Sequence, residues 1–368
     1  MKFTIEAYKL LKKLQYITPI LQKNDISTIF QNILIKINQK CLTLTASNLE
    51  TEIVAKIYVK NFYSAGEITV SGKKLLNICK GLPSQSIVKI EQIENNILQI
   101  TTLFSYFKLL TLPAMNYPKL YFSTYQVQFN ISEKIFKNVI KTTQFCMATN
   151  DIQYCLNGML LEIYNKTLKS VTTDGHRMAI LSVELNTNIL SYTVIISRKN
   201  VIEMVRLLND SSELIIISIN KKNFKLKIND ITFTTKLIEG NFPHYKKLVI
   251  KKFDTILKIS SLQLKQSLTR ISVLSDKKFK AVQFYIKKNF LKLTASNEED
   301  EIAEENIQVD TDNEEDIKFV INATYIIDIL NVIKDDFIYV LFNKPISTIQ
   351  VQREIISKDC FIVMPLIF

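Results

Sequence analysis

The 368-residue chain contains no tryptophan, six glycines, two histidines and five scattered cysteines. Each scarcity closes off some chemistry. Two histidines cannot build a poly-histidine metal centre, and neither His176 nor His244 lies in an HExxH pattern or close to a cysteine pair. Glycine-rich phosphate cradles lack raw material, and GxGxxG, GxxxxGKS/T and GxSxG are all absent. Cys41, Cys79, Cys146, Cys155 and Cys360 are odd in number and form no CxxC, which suits reduced, mostly buried thiols. No apolar run reaches the roughly 18 residues that a membrane-spanning helix needs. The opening MKFTIEAYKLLKKLQY interrupts its apolar positions with lysines and offers no small-residue cleavage site, unlike a signal peptide. The expected compartment is the cytoplasm.

What is present is a folded, basic composition. Apolar residues make up 47% and charged ones 22%, a globular rather than a disordered balance. The length suits two or three domains of about 100 to 150 residues. A net charge of +12 favours an acidic partner such as nucleic acid.

Internal repetition refines this. TASN occurs at Thr45–Asn48 and at Thr294–Asn297, each time after an alternating apolar stretch, and Thr172-Thr173-Asp174-Gly175 takes the same place between them. The tetrads lie 127 and 122 residues apart, measured at Ala46, Thr173 and Ala295. Each third opens with a strand and an amphipathic helix, from Phe3, Val127 and Thr255. A second strand–helix unit follows each tetrad, with Ser71, Ser197 and Asn322 at the expected N-caps. Three domains are therefore expected near 1–125, 126–252 and 253–368. Strands such as Lys225–Ile228 and Lys287–Leu293 alternate with period two, and helices of about 12 to 15 residues must dock on sheet to be stable. The expected class is α+β, with antiparallel sheet covering one side of the helices.

Charge divides unevenly among the thirds, at +8, +8 and −4. Glu298–Glu305 and Asp310–Asp316 make the last third acidic and read as a solvated loop and rim, or as a complement to a basic surface on another subunit. Basic residues recur on helix faces: Lys9, Lys12 and Lys13; Lys73, Lys74 and Lys80; Lys134, Lys137 and Lys141; then Arg198, Lys199 and Arg206. Such stripes meet phosphates without reading bases, although amphipathic helices normally carry charged solvent faces anyway. No carboxylate set marks two-metal chemistry, so neither a catalytic nor a metal-binding residue is expected, and no cofactor.

Further segments recur in a telling order: MKFT with Leu10-Leu11, Asn48-Leu49-Glu50, Ile78–Pro83, Leu156–Leu160, Thr172–Arg177, Gly240–Tyr245 and Val363-Met364-Pro365. Together they resemble, over the whole length, the bacterial sliding clamp family, the beta subunit of DNA polymerase III. The resemblance implies three topologically similar DNA-clamp domains, with helices lining an inner face and antiparallel sheets outside. Two subunits would close head to tail as a ring around double-stranded DNA. The implied role is a non-catalytic processivity factor, set in place by a clamp loader complex. It would tether the replicative polymerase and serve other DNA polymerases, ligase and mismatch-repair proteins, with no membrane partner.

The resemblance also implies sites. A hydrophobic peptide cleft would use Leu156, Thr173, Gly175, His176, Arg177 and Met178, then Pro243, Lys247 and Leu248, with Ser347 or Thr348, and Ile362, Met364, Pro365 and Leu366. Arg177 would hold a polar residue of the partner. DNA contacts would fall to Asn24, Lys73, Lys80, Lys137, Lys141, Asn150, Tyr154, Arg198 and Lys199. The homodimer interface would set Lys74, Ile78, Phe107 and Leu109 against Val273 and Leu274. The chain departs from the family pattern with Lys247 in place of arginine, Asn24 in place of an arginine, and Tyr154-Cys155 in place of a tyrosine pair. It ends on Ile367-Phe368 without a penultimate arginine, and its loop at Lys344-Pro345 is one residue longer. A non-ring basic DNA-binding scaffold and a metal-dependent nucleic-acid enzyme are the competing readings.

Overall fold

The computed structural model describes residues 1–21, 28–94, 96–121, 124–311 and 315–366. Within them, six helices each follow directly on a strand. α1 (Ala7–Ile17) follows Lys2–Glu6, and α2 (Gly72–Gly81) follows Gly66–Ser71. α3 (Glu133–Thr143) follows Val127–Ser132, and α4 (Arg198–Leu207) follows Arg177–Ser197. α5 (Ser261–Ile271) follows Thr255–Ser260, and α6 (Ala323–Val332) follows Ile317–Asn322. Their lengths alternate between 11 and 10 residues, shorter than the sequence suggested. The repeat extends to single positions. α1 buries Ala7, Leu10, Leu14 and Ile17, and α5 buries Ser261, Leu264, Leu268 and Ile271 at the same spacing.

The expected caps Ser71 and Asn322 act as caps. Ser71 Oγ accepts from Lys74 N, and Asn322 Oδ1 accepts from Thr324 N at 2.9 Å. Ser197 directly precedes α4, and its hydroxyl accepts from the side chain of Asn200 at 2.8 Å. Ser260 caps α5 in the same way as Ser71, accepting from Gln263 N.

By contact the chain forms two compact units, Met1–Lys137 with Ile202–Leu237, and Asn138–Val201 with Ile238–Phe368. The first holds a 13-stranded sheet. Inside it Ile231–Lys236, from the middle third, pairs antiparallel with Thr51–Tyr58 of the first third. Phe233 stands opposite Ile53 at that joint, and both are fully buried. The second unit holds a seven-stranded and a four-stranded sheet. There Arg177–Ser197 pairs with the final strand Cys360–Val363, with Arg177 opposite Val363 and Met178 opposite Ile362. The core of the second unit gathers Leu264 and Leu268 of α5, Ile326 and Ile329 of α6, and the stacked Phe284–Phe319 pair at 5.3 Å. Each large apolar side chain so buried contributes about 1.5–3 kcal/mol.

Two local expectations need correction. Lys287–Leu293 is not one strand: Ala281–Lys287 ends there, Lys288 turns with φ 47°, and Phe290–Ser296 returns. A two-residue hairpin keeps the alternation in phase, so the period alone hid the turn. The acidic run at Glu298–Glu305 is only partly loop, because Ile302–Gln308 is an edge strand. On it Glu304 pairs with Lys292 at 2.8 Å and Glu305 with Arg270 at 2.6 Å.

The segment leading out of the first third is fastened as well. Tyr117 is buried, with its hydroxyl 3.1 Å from Thr45 O and 3.3 Å from Asn32 O. Glu52 accepts from Leu120 N at 3.1 Å. Burial raises the Glu52 carboxyl above its ordinary value, against the opposing pull of that N–H and of Lys119 and Lys225. The folded state therefore carries a cost for ionised Glu52 that is full above its folded pKa and relieved as the pH falls. Glu52→Gln keeps an acceptor for Leu120 N without the charge. Thermal unfolding is expected to show the variant more stable than the parent by about 1–2 °C at neutral pH, with the gap closing in mild acid. An equal gap at both pH values contradicts this.

Candidate peptide cleft and nucleic-acid interface

The turn between the strands Gly158–Thr173 and Arg177–Ser197 is built by its own side chains. Thr173 Oγ accepts from Gly175 N at 3.1 Å and donates to Arg177 O at 2.7 Å. Asp174 Oδ1 accepts from His176 N at 3.0 Å and Arg177 N at 3.1 Å. Gly175 takes φ +89° with open space where a Cβ would stand, so the backbone angle alone requires glycine. His176 O accepts from Met364 N at 2.9 Å, and Leu366 N donates to Val320 O at 2.8 Å. Hydrogen bonding thus brings together the Thr173–Met178 and Ile362–Leu366 groups of expected cleft residues.

The third group is brought in by a buried aromatic. Tyr245 sits in the short 3-10 turn Tyr245–Lys247, and its hydroxyl donates to Glu162 Oε2 at 2.6 Å. Burial first, and then Glu162, push the tyrosine pKa upward. Its ring joins an apolar cluster with Met178, Ile180, Cys360 and Ile362, against which Phe242, Leu248 and Val249 pack half-buried. Alternation along Cys360–Val363 divides that strand, with Cys360 and Ile362 entering this cluster and Phe361 and Val363 the larger core. Leu156 is buried, and Pro243, His176 and Lys247 are exposed. Ser347 is exposed while Thr348 is buried at 6%, so of the two Ser347 faces solvent.

Arg177 is already engaged within its own unit. Its Nε meets Asp174 at 2.9 Å, Nη1 meets Asp328 at 2.6 Å and Nη2 donates to Phe145 O at 3.2 Å. The guanidinium lies 5.4 Å from the Phe145 ring centre and 4.6 Å from that of Tyr325. With its side chain 13% exposed, it fastens the turn to α6, each of its three nitrogens holding a partner. Asp174 was legible as a neighbour at i−3. Asp328 and Tyr325 lie about 150 positions along the chain and gave no local signal. An open depression joins Asp174, His176 and Arg177 to Met147, Asp151 and Arg198.

The expected DNA contacts divide by whether they are already engaged. Lys73, Lys80, Lys141 and Lys199 are exposed on α2, α3 and α4. Lys137, on the same face of α3 as Lys141, pairs with Asp210 at 3.1 Å. Arg198 Nη1 donates to Met147 O at 2.5 Å. Arg206 is taken up by Glu203 and by the carbonyls of Gln15 and Tyr16, at the C-terminal end of α1, where a cation is favourable. Lys9 and Lys13 pair with Glu6 and Asp230. Asn150, at φ 58°, and Tyr154, 78% exposed, belong to a loop closed by paired hydrogen bonds between Asp151 and Asn157. Asn24 lies outside the described residues. Among the described residues no three His, Cys, Asp or Glu side chains gather as a metal would need.

For the expected interface, Lys74 and Leu109 line one depression in the first unit with Leu110 and Leu112. Ile78 and Phe107 are half-buried. Val273, 77% exposed, and half-buried Leu274 form a short turn at the end of α5 in the second unit.

Repeated strand–helix units joined through their sheets, with exposed lysines on α2, α3 and α4 and an apolar cluster beside the final strand, define an α+β protein of clamp type. Family models agree along the chain: those of the DNA polymerase III beta subunit match with the N-terminal domain over residues 1–121, the central domain over 130–244 and the C-terminal domain over 246–366. The beta sliding clamp of Salmonella typhimurium is 35% identical over 366 residues, covering 100% of both chains. That of Buchnera aphidicola subsp. Acyrthosiphon pisum is 38% identical over 365 residues and 99% of each. A crystal structure of a DnaN sliding clamp from Pseudomonas aeruginosa bound to griselimycin superposes with a TM-score of 0.96 at 31% identity, over 100% of each chain. The chain belongs to the DNA polymerase III beta subunit family.

The Arg177 network yields a stability prediction. Arg177→Ala is expected to cost about 2–4 kcal/mol, because it strands partly buried Asp174 and Asp328 and removes two ring contacts. Asp328→Ala is expected to cost less, and the double variant less than the sum by about 1 kcal/mol or more. Denaturant unfolding of the four proteins checks this. Strict additivity would show that the two side chains are not coupled.

Proposed function

We propose that this protein is a sliding clamp that encircles duplex DNA and confers processivity on the replicative polymerase. The observation that carries the proposal is the end-to-end succession of three clamp-family domains over residues 1–366. We take the domains to lie near 1–125, 126–252 and 253–368, as the phased repeat indicates. The protein acts without catalysis of its own. Its work is topological: a closed ring leaves DNA only at an end, so weak phosphate contacts suffice and the duplex slides. A tethered polymerase then meets its primer end at high effective concentration. The non-ring scaffold and the nucleic-acid enzyme are not favoured, since neither accounts for family agreement along the whole chain.

Closure requires a second copy, joined head to tail. Two open strand edges suit that joint. Tyr106–Leu112 pairs along its length with Ile97–Thr101 on one side, but meets Gly66–Ser71 on the other only at Leu112 and Thr111. Ile302–Gln308 is the outer strand of its sheet and carries Glu304 and Glu305. Charges of +8 in the first third and −4 in the last complement each other. Lys74, Ile78, Phe107 and Leu109 would meet Val273 and Leu274 there.

Partner proteins dock a short peptide in the apolar cleft: the replicative polymerase, the clamp loader complex, other DNA polymerases, ligase and mismatch-repair proteins. Met178, Leu248, Ile362, Met364, Pro365 and Leu366 supply the slot, with Ser347 at its rim. Lys73, Lys80, Lys141 and Lys199 supply diffuse attraction for phosphate. The setting is the cytoplasm. Among the described residues no helix is long and apolar enough to cross a membrane.

Two measurements test the proposal. Protein loaded on nicked circular DNA is expected to stay bound at moderate salt and to be released when the circle is linearised. Release governed by salt alone, whatever the topology, overturns the ring. Val273→Ala with Leu274→Ala is expected to weaken the dimer about 10- to 100-fold. Sedimentation velocity showing an unchanged dimer at submicromolar concentration refutes that interface.

A further inference from the structure

The stretch that opens the C-terminal match reads Lys246-Lys247-Leu248-Val249-Ile250-Lys251-Lys252, an apolar triad bracketed by two lysine pairs. The structure fastens it at three places. Tyr245 is held by Glu162, Ile250 N donates to Gln350 Oε1 at 3.1 Å, and Lys252 O accepts from Asn343 Nδ2 at 2.9 Å. Gln350 is itself buried at 1% and stands opposite Ile362 in the sheet. Leu248, Val249 and Ile250 are half-buried, and Leu248 and Val249 pack on the cleft cluster, while all four lysines are exposed. Lys246 pairs with Glu162 at 3.3 Å, but Lys247, Lys251 and Lys252 form no ion pair among the described residues. Asp254, the next acidic residue along the chain, is exposed and accepts from the backbone N–H of Lys344.

A fixed apolar strip with unpaired cations at its ends fits a ligand of matching pattern. Resting on the cleft reading above, we propose that this segment selects partner peptides in which the apolar anchor is flanked by aspartate or glutamate. Lys247, Lys251 and Lys252 would meet those carboxylates. Two features favour a peptide over a nucleic-acid backbone. The lysines bracket apolar side chains that a phosphate backbone would leave unused. The strip is also continuous with the cleft cluster through Leu248. Exposed ion pairs are individually weak, so the flanks tune affinity rather than create it. They act within about one Debye length, roughly 10 Å at 0.1 M salt.

The test uses the full-length protein and two fluorescent peptides with one apolar anchor, flanked either by acidic residues or by serine and glycine. Anisotropy titration is expected to show the acid-flanked peptide binding about 3- to 10-fold tighter at low salt, the preference shrinking as salt rises. Lys251→Ser with Lys252→Ser should remove most of the preference and leave the neutral peptide within about twofold of its parent affinity. Equal binding of both peptides to the parent overturns the proposal while leaving the cleft intact. If neither peptide binds, the cleft reading fails, and this proposal with it. If the double variant keeps the preference but loses affinity for short duplex DNA, the lysines serve DNA and the proposal is wrong.

Discussion

The structure depends on backbone hydrogen bonding that continues across the joints between repeats. A strand edge left open offers unpaired N–H and C=O groups to any passing chain. Here the edge at Thr51–Tyr58 is closed by Ile231–Lys236, and the edge at Arg177–Ser197 by Cys360–Val363. Both joints are antiparallel, and apolar pairs such as Phe233 with Ile53 back the first of them. The middle repeat is consequently shared: its strands from Val127 and from 214 to 236 belong to one unit, and its long hairpin to the other. Repetition in sequence is threefold, whereas cohesion within the chain is twofold.

That contrast marks how much was legible in the residues. The strand–helix units, their caps at Ser71 and Asn322 and their buried spacing follow from local rules, because 3.6-residue periodicity and N-cap chemistry act within a few positions. The hairpin at Lys288 escaped, since a two-residue turn preserves alternation. Helix length was overestimated because the capping strands run into the helices without a loop. At the candidate cleft, the turn chemistry of Thr173 to Arg177 was readable, and the family resemblance pointed to the three groups of residues. The partners that immobilise them were not. Asp328, Tyr325, Glu162 and Gln350 lie far along the chain and carry no motif, so only the folded arrangement reveals that Arg177 is occupied.

Electrostatics follows the same division between local pattern and tertiary use. A stripe such as Lys134, Lys137 and Lys141 looks uniform in sequence, yet Lys137 is tied to Asp210 while its neighbours are exposed. Arg206 continues the basic series on α4 but closes the end of α1. The acidic run of the last third is partly neutralised by Lys292 and Arg270 from within its own unit. Net charge per domain therefore describes long-range attraction, and the unpaired residues describe contact.

The final strand has a consequence of its own. Cys360 and Ile362 face one apolar cluster, and Phe361 and Val363 face another. Because successive side chains alternate, a slip of one residue would exchange the contents of the two. Register here is thus a form of addressing: odd and even positions of four residues are delivered to different clusters by the same pleat. Selection can revise the residues at one address while the other stays constant, so the two clusters can evolve at separate rates within a strand too short to have a spare position.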